Sequence, residues 1–298
     1  MKIDNNLIKE SLGVDLKLGN DVFFENLGLV DSKLPNSLTY IRSSKFIKFL
    51  ANNPNIKACL CSENEKIAIK GLGIFPIVVE DPEYSYFSIY NHIAKKRMAY
   101  EKTVISKTAK IHPSAVISPI GVNIGENVQI AANVVVEAGT SIGDNTRILA
   151  NTTLGCMDAE VKNTPTGMIV VEHDGKLIIG KNCFIGANCV VDRGLHNNHT
   201  VIKDSVVLSN RVYVGHGSKI GERTMLLGCI ICGSCDIGKN VRVCIGAIVS
   251  NGIKVKDGAV VIIGAVVVED VEEKTQVSGN FAMPHNKFLK HFSKISKL

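Results

Sequence analysis

Aliphatic residues recur at every sixth position through most of this chain. Ile124, Ile130, Val136, Ile142, Ile148 and Leu154 form one run, and Ile179, Ile185 and Val191 a second. Ile202, Leu208, Val214, Ile220 and Leu226 form a third, and Ile231, Ile237, Val243, Val249, Val255, Val261 and Val267 a fourth. An α-helix repeats at about 3.6 residues and a half-buried strand at every second residue. A strict period of six makes each hexapeptide one flat face of a coil, with its aliphatic residue inward. Each coil buries those residues only against the next, so the core is a continuous column. The pattern predicts a mainly β fold: a left-handed parallel β-helix of hexapeptide repeats.

Glycine often follows the aliphatic residue and asparagine sits two places on, as in Ile124-Gly125-Glu126-Asn127, Ile142-Gly143-Asp144-Asn145 and Ile237-Gly238-Lys239-Asn240. Both residue types tolerate positive φ and read as corners between short strands. The period slips near Ser118 to Val122, breaks between Gly155 and Ile178, gains residues between Val191 and Ile202, and shortens by one at Leu226 to Ile231. Loops leave a solenoid at such places, and loops often carry function. Gly167 and Gly175 around Met168-Ile169-Val170-Val171 favour a hairpin within the longest break.

The first hundred residues lack the repeat and read as a small α/β domain. Lys57 to Cys61 and Phe75 to Val79 are apolar runs of strand length, while Ser43 to Leu50 and Pro82 to Lys96 read as helices. Asp81-Pro82 supplies a cap and first position for the second helix. Beyond Val268 the period stops, and Pro284 to Lys297 predicts one short amphipathic helix with Phe288, Leu289, Phe292 and Ile295 on its apolar side. The expected organisation is an N-terminal domain over 1–103, a β-helix over 104–270 with a loop insertion at 155–178, and a tail over 271–298.

Composition narrows the function. At 298 residues and 45% hydrophobic content the chain can fill two cores. It has no apolar run of about 18 residues and no signal-peptide pattern, so no membrane span is expected and the expected compartment is the cytoplasm. A net charge of +6 is spread along the chain apart from Lys95-Lys96-Arg97 and the C-terminal lysines, without the dense stripe that a nucleic-acid binder shows. Nine cysteines, an odd number, fit a reduced compartment. Cys229, Cys232 and Cys235 have spacers found among metal ligands, but inside a hexapeptide repeat they point in different directions. Small side chains stacked between coils explain them better, as they explain Cys183 and Cys189. No metal site and no bound cofactor are expected.

The residues that bear chemistry concentrate in Asp192-Arg193-Gly194-Leu195-His196-Asn197-Asn198-His199, followed by Tyr213-Val214-Gly215-His216-Gly217. With the excursion through Thr200 and the Ile220-Gly221 pair, this stretch resembles the UDP-3-O-acylglucosamine N-acyltransferases of lipid A synthesis and the related nucleotide amino-sugar N-acyltransferases. The resemblance covers nearly the whole chain. It implies that His216 is the general base and that Asp192 orients it or accepts from the sugar amine. Imidazole suits that task because its charge changes near neutral pH. From spacing alone, His216 is a histidine on a surface turn and Asp192 a turn cap, and those readings stay open here. His196 and His199 lie in the extra loop and are given no part in the mechanism.

The resemblance extends to Leu38-Thr39-Tyr40-Ile41-Arg42-Ser43-Ser44-Lys45-Phe46, the segment that holds the nucleotide base. It implies that Tyr40 and Phe46 sandwich a pyrimidine read by Ser43; base stacking of this kind contributes about 1–3 kcal/mol. The alternative is that the two rings fill the small core. Gly233, Gly246 and Asn251 are expected to line the path of the acyl donor. The lipid A enzymes carry a second histidine where this chain has Gly252, and they continue into a longer tail. These departures point to a short acyl group, plain or 3-hydroxylated, carried by acyl-CoA as co-substrate and moved onto a UDP- or dTDP-linked amino(dideoxy)sugar for surface glycans. The expected assembly is a homotrimer.

Three other readings compete. The first is lipid A N-acylation from a hydroxyacyl carrier protein. The second is a non-catalytic platform that binds sugar nucleotide. The third is a hydratase like the gamma carbonic anhydrases, for which His196, His199 and His216 would have to converge on zinc. Their spacing does not put two of them on neighbouring coils at one corner.

Overall fold

The computed structural model describes residues 2–19, 22–98, 101–196, 198–279 and 282–295. The chain divides into two compact units, Met1–Tyr100 with Met157–Asp174, and Glu101–Cys156 with Gly175–Leu298.

In the first unit β1 (Ile3–Asp4) pairs antiparallel with β2 (Phe23–Phe24). Strands β3 (Asn26–Leu27), β4 (Ser37–Tyr40), β5 (Ile56–Cys61) and β6 (Phe75–Val78) form a parallel sheet in that order. Helix α1 (Asn5–Leu12) lies between β1 and β2, α2 (Ile47–Leu50) between β4 and β5, and α3 (Lys66–Gly71) between β5 and β6. Helix α4 (Pro82–Arg97) begins as its sequence predicts, because Asp81 caps it by accepting from the Tyr84 N–H at 3.0 Å. Its apolar face, with Tyr86, Phe87, Ile89, Tyr90 and Ile93, is buried.

The insertion groups with this unit rather than with the β-helix into which it is spliced. It forms an antiparallel hairpin, Val161–Thr164 with Gly167–Val170. The second Asp81 oxygen accepts from the Thr166 N–H at 3.1 Å and its hydroxyl at 2.8 Å. Asn91 donates to the Val170 carbonyl at 2.7 Å and accepts from the Glu172 N–H at 2.8 Å. Asp174, its side chain fully buried, takes donors from Tyr90 and Arg97. Polar groups of α4 thus satisfy the hairpin ends, which apolar periodicity does not report.

The second unit is the left-handed parallel β-helix, three parallel sheets of eight, nine and eight short strands. Every aliphatic residue of the four runs is buried in one continuous cluster. Regular coils stack 18 residues apart, as between Asn127 and Asn145. The irregular steps fall where the period breaks: 37 residues from Asp144 to Lys181, 23 from Ala187 to Asn210, and 17 from Arg223 to Asn240. At these steps small polar side chains sit between coils. Thr146 and Thr152 donate to the carbonyls of Gly180 and Gly186. The thiols of Cys183 and Cys189 donate to Lys203 and Ser209, and Ser218 and Thr224 donate to Cys232 and Gly238. Cys229 and Cys235 are also buried in the core column.

Two differences from the sequence reading have physical causes. Coils continue past residue 270, because a shorter step of 16 residues between Lys254 and Asp270 brings Val271 inward, and Gln276–Val277 stacks on Val260–Val261. The glycine after the aliphatic residue is also not the left-handed one. Asn127, Asn145 and Asn240 carry the positive φ of 55°, 59° and 54°. Gly143 is required by packing instead, since a Cβ there would sit 2.6 Å from the Gly180 carbonyl carbon in the next coil. The terminal helix α5 covers His285–Ile295, and the expected end at Lys297 lies outside the described residues. No helix among the described residues is long and apolar enough to cross a membrane.

The clash at Gly143 is with backbone, which cannot swing away. Gly143→Ala is therefore expected to lower stability by about 1–3 kcal/mol, the usual cost of overpacking, read as a fall in thermal midpoint.

Candidate active site

Strand register brings three of the expected residues together. Tyr213 pairs with Ile230 and Ile230 with Ile248, so His216, Gly233 and Asn251 occupy one corner of three successive coils. The half-buried His216 ring lies against Gly233: a Cβ at residue 233 would sit 2.6 Å from Nε2 and 2.7 Å from Cε1. On its other side the Gly233 N–H donates to Asn251 Oδ1 at 2.9 Å. The His216 carbonyl accepts from the Ser234 N–H at 2.7 Å, which ties the turn to the coil above. Below, the Gly217 N–H donates to Thr200 Oγ1 at 2.8 Å, and Asn198 donates to the Gly217 carbonyl at 3.2 Å. The excursion before His216 thus returns to support its corner.

Asp192 ends the strand one coil earlier, and the pairing of Val191 with Val214 sets it level with Gly215. It is buried and accepts from the Tyr213 hydroxyl at 2.6 Å and the Cys156 thiol at 3.1 Å. Burial, reinforced by the Asp192 carboxylate, pushes the Cys156 thiol up to about 12. Cys156 is therefore a protonated donor rather than a nucleophile at neutral pH. Tyr213 and Cys156 are not among the expected site residues. The signal for Tyr213 lies in the count: once the 23-residue step is known, residue 213 falls beside 190.

The Asp192-Arg193-Gly194 turn requires its glycine, because a Cβ at 194 would sit 1.6 Å from the Asn198 carbonyl oxygen. His199 Nδ1 accepts from the Lys176 N–H at 3.2 Å, which ties the excursion to the preceding coil. No group of three metal-ligating side chains occurs among the described residues. Gly246 is not brought to His216. It lies at the corner after Arg242–Val243, whereas Gly233 follows Ile230–Ile231, so the two do not share one edge of the coil. Gly246 instead helps line a cavity of about 670 Å³ with Phe184, Asn210, Arg211 and Ile245.

The N-terminal unit holds its own cavity of about 560 Å³, lined by Leu29, Val30, Asp31, Tyr40, Ile41, Arg42, Phe46 and Phe49. Tyr40 is packed on one side by Tyr86, at 4.8 Å between ring centroids, and by the edge of Phe87 at 5.7 Å. Its hydroxyl donates to Glu83 at 3.1 Å. Burial, then the Glu83 charge, pushes the phenol up to about 12. Phe46 is 39% exposed and neighbours Phe49 at 6.3 Å, so it lines the cavity rather than filling the core. Ser43 is half-buried beside these residues but is not part of the lining; its carbonyl accepts from the Phe46 N–H at 3.1 Å. Arg42 and Glu83, which join Tyr40 here, escape sequence reasoning because a charged residue in a short α/β segment has no periodic signature.

Residues 121–156 match the family described as bacterial transferase hexapeptide (six repeats), and residues 176–216 the hexapeptide repeat of succinyl-transferase. A UDP-3-O-acylglucosamine N-acyltransferase of Albidiferax ferrireducens is 30% identical, over 94% of this chain and 88% of its own length. The chain belongs to that family. A UDP-3-O-acylglucosamine N-acyltransferase of Campylobacter lari is 29% identical over 99% of this chain and 97% of that protein. Among solved structures, a UDP-N-acetylglucosamine acyltransferase from Campylobacter jejuni shares 22% identity with a TM-score of 0.46, covering 57% of this chain and 72% of that one. This acyltransferase therefore carries its histidine corner on the hexapeptide column and its aromatic cavity in a separate compact unit.

The thiol next to Asp192 gives a pH test. Cys156 titrates near 12 in the folded acyltransferase against an ordinary 9.0, so its contribution to stability is present below about pH 9 and is lost as pH rises toward 12. Cys156→Ser should show a shallower fall in thermal midpoint across that window than the unaltered protein.

Proposed function

We propose that the chain transfers an acyl group from a thioester to the amino group of a UDP-linked amino sugar, with His216 as general base. The observation that carries this reading is the seat of His216: an imidazole laid on a glycine at an open corner, held by backbone bonds from the coils above and below. The sugar amine attacks the thioester carbonyl and a C–N bond forms. His216 takes the amine proton, the C–S bond breaks, and the thiol leaves with a proton returned from the imidazolium. Asp192 orients the corner from the preceding coil. No covalent enzyme intermediate is needed.

Tyr40 and Phe46 stack the base, Ser43 lies beside it, and Gly233 and Asn251 receive the donor arm at His216. The donor is a short, 3-hydroxylated or plain acyl-CoA, and the acceptor an amino(dideoxy)sugar of surface glycans. Such a donor places the reaction in the cytoplasm. A second reading is transfer from hydroxyacyl carrier protein to UDP-3-O-acylglucosamine, favoured by the names of relatives that match over nearly the whole chain.

Three copies associate in this proposal. One sheet of the β-helix supports it, since its outward residues are Val116, Val135, Val190, Tyr213, Ile230, Ile248 and Val266, with Thr153 and the Asp192-bonded Tyr213 hydroxyl as the polar groups of that row. The sheet that follows mixes Val104, Ile178 and Val201 with Asn123, Ser141, Lys219, Asp236 and Lys254 in its outward row. An apolar outer row is what a second copy of the same chain would cover.

The test is thiol release from acetyl- and 3-hydroxybutyryl-coenzyme A, and from hydroxyacyl carrier protein, with UDP- and dTDP-linked amino sugars and product masses recorded. His216→Ala should lose transfer by about 10²–10⁴-fold, the usual contribution of a general base. Gly233→Ala should lose about 10²-fold by displacing the ring, while folding is kept because the clash is with a side-chain end. Full activity in His216→Ala would refute the mechanism, and sugar-nucleotide binding with no transfer from any donor would identify a platform.

A further inference from the structure

We infer that Arg42 is the anion-reading group of the N-terminal cavity and that Glu83 is the residue that positions it, so that this pair sets how much tighter the cavity holds a nucleoside diphosphate than the bare nucleoside. This rests on the nucleotide reading of that cavity.

Glu83 has a side chain only 5% exposed, in the first turn of α4. A carboxylate withdrawn from water is costly unless it is paired, and the helix N-terminus favours a negative charge there. Its partners are the Tyr40 hydroxyl at 3.1 Å and the Arg42 guanidinium. One buried group therefore fixes two cavity residues relative to each other: the ring available for stacking a base and the cation beside it.

Arg42 has its own side chain 57% exposed and lines the cavity. Guanidinium offers five donors in a fixed fork, of which the ion pair with Glu83 engages one nitrogen and a hydrogen bond to the Tyr40 oxygen takes a further donor. The remaining donors are available to an anion, and the fork matches phosphate oxygens. A base stacked on Tyr40, Phe46 and Phe49 leaves its phosphates toward solvent, where the exposed guanidinium is. Asp31, the other charged residue of the lining, repels phosphate, which leaves Arg42 as the favourable place for it on this wall.

The experiment is calorimetric binding of UDP and of uridine to the full chain, with Arg42→Ala, Arg42→Lys and Glu83→Gln beside it and thermal midpoints as the folding control. Arg42→Ala should weaken UDP about tenfold, as loss of a charge-assisted hydrogen bond does, and leave uridine within about twofold. Its salt dependence for UDP should flatten. Arg42→Lys should fall between, keeping charge without the fork. Glu83→Gln should weaken UDP and not uridine, because an amide oxygen still receives the Tyr40 hydroxyl while the ion pair is lost. Equal losses for UDP and uridine in Arg42→Ala would mean that Arg42 reads the base, and no loss for either would remove it from the site; both overturn the inference. An equal fall in both ligands for Glu83→Gln would reduce Glu83 to a structural anchor and overturn its positioning role. Uridine and UDP both failing to bind the unaltered chain would overturn the nucleotide reading itself.

Discussion

The rest of this molecule depends on the ladder between coils. Each short strand has hydrogen-bond partners only above and below it, and each aliphatic residue has its apolar contact only in the neighbouring coil, so position along the column is set by counting. A residue inserted in a corner changes which side chains align from there on. The site is a product of that count: His216, Gly233 and Asn251 meet because regular strands flank them, and Asp192 sits level with Gly215 because the excursion between them returns in register. The irregular steps do not break the core, because Thr146, Thr152, Ser218, Thr224 and two cysteine thiols satisfy carbonyls between coils at those steps. Small polar side chains inside an apolar column are tolerated when their hydrogen bonds are complete.

The same count explains how much of the fold is legible in the amino-acid sequence. The β-helix, its breaks and its inward residues follow from a single period, and Ile124 to Val267 are buried as that period requires. The helix over Pro82–Arg97 follows from Asp81-Pro82 as a cap, since capping is local chemistry. The place of the insertion is not legible. Its attachment depends on Asp81, Asn91 and Tyr90 reaching residues some 80 positions away, and such pairs leave no pattern in one sequence. Extension past residue 270 is hidden for a related reason: a step of 16 residues still stacks a coil but no longer repeats at six.

Candidate site residues divide along the same line. His216 reads from spacing alone as a histidine on a surface turn, and a family likeness is what singles it out. Tyr40 and Phe46 stand out through a family likeness, and the structure places both on a cavity wall. Arg42 and Glu83 do not, because an arginine and a glutamate 41 residues apart look like ordinary surface charge until the fold makes them a pair with one buried member. Gly246 groups with Gly233 in the sequence only as another glycine of the later repeats, and its place relative to the inward residue differs: it follows Val243 by three, whereas Gly233 follows Ile231 by two. A triangular coil has three corners, however, and periodicity does not say which corner a glycine occupies.

Glycine marks where sequence reading gives way to structure, because its three uses here differ in physics. Gly217 has φ +68° and supplies a left-handed turn. Gly143 lies outside that region and is required because the next coil passes where its Cβ would be. Gly233 also lies outside it, and what occupies its missing side chain is the His216 ring. The first use is a property of the residue, the second of the neighbouring backbone, and the third of one particular side chain a coil away. Only the third bears on chemistry, and its demand is also the softest, since a ring can move where a backbone cannot. A site built this way can tolerate loss of the glycine as a fold while losing it as a catalyst, which is why stability and activity at this corner are separable quantities.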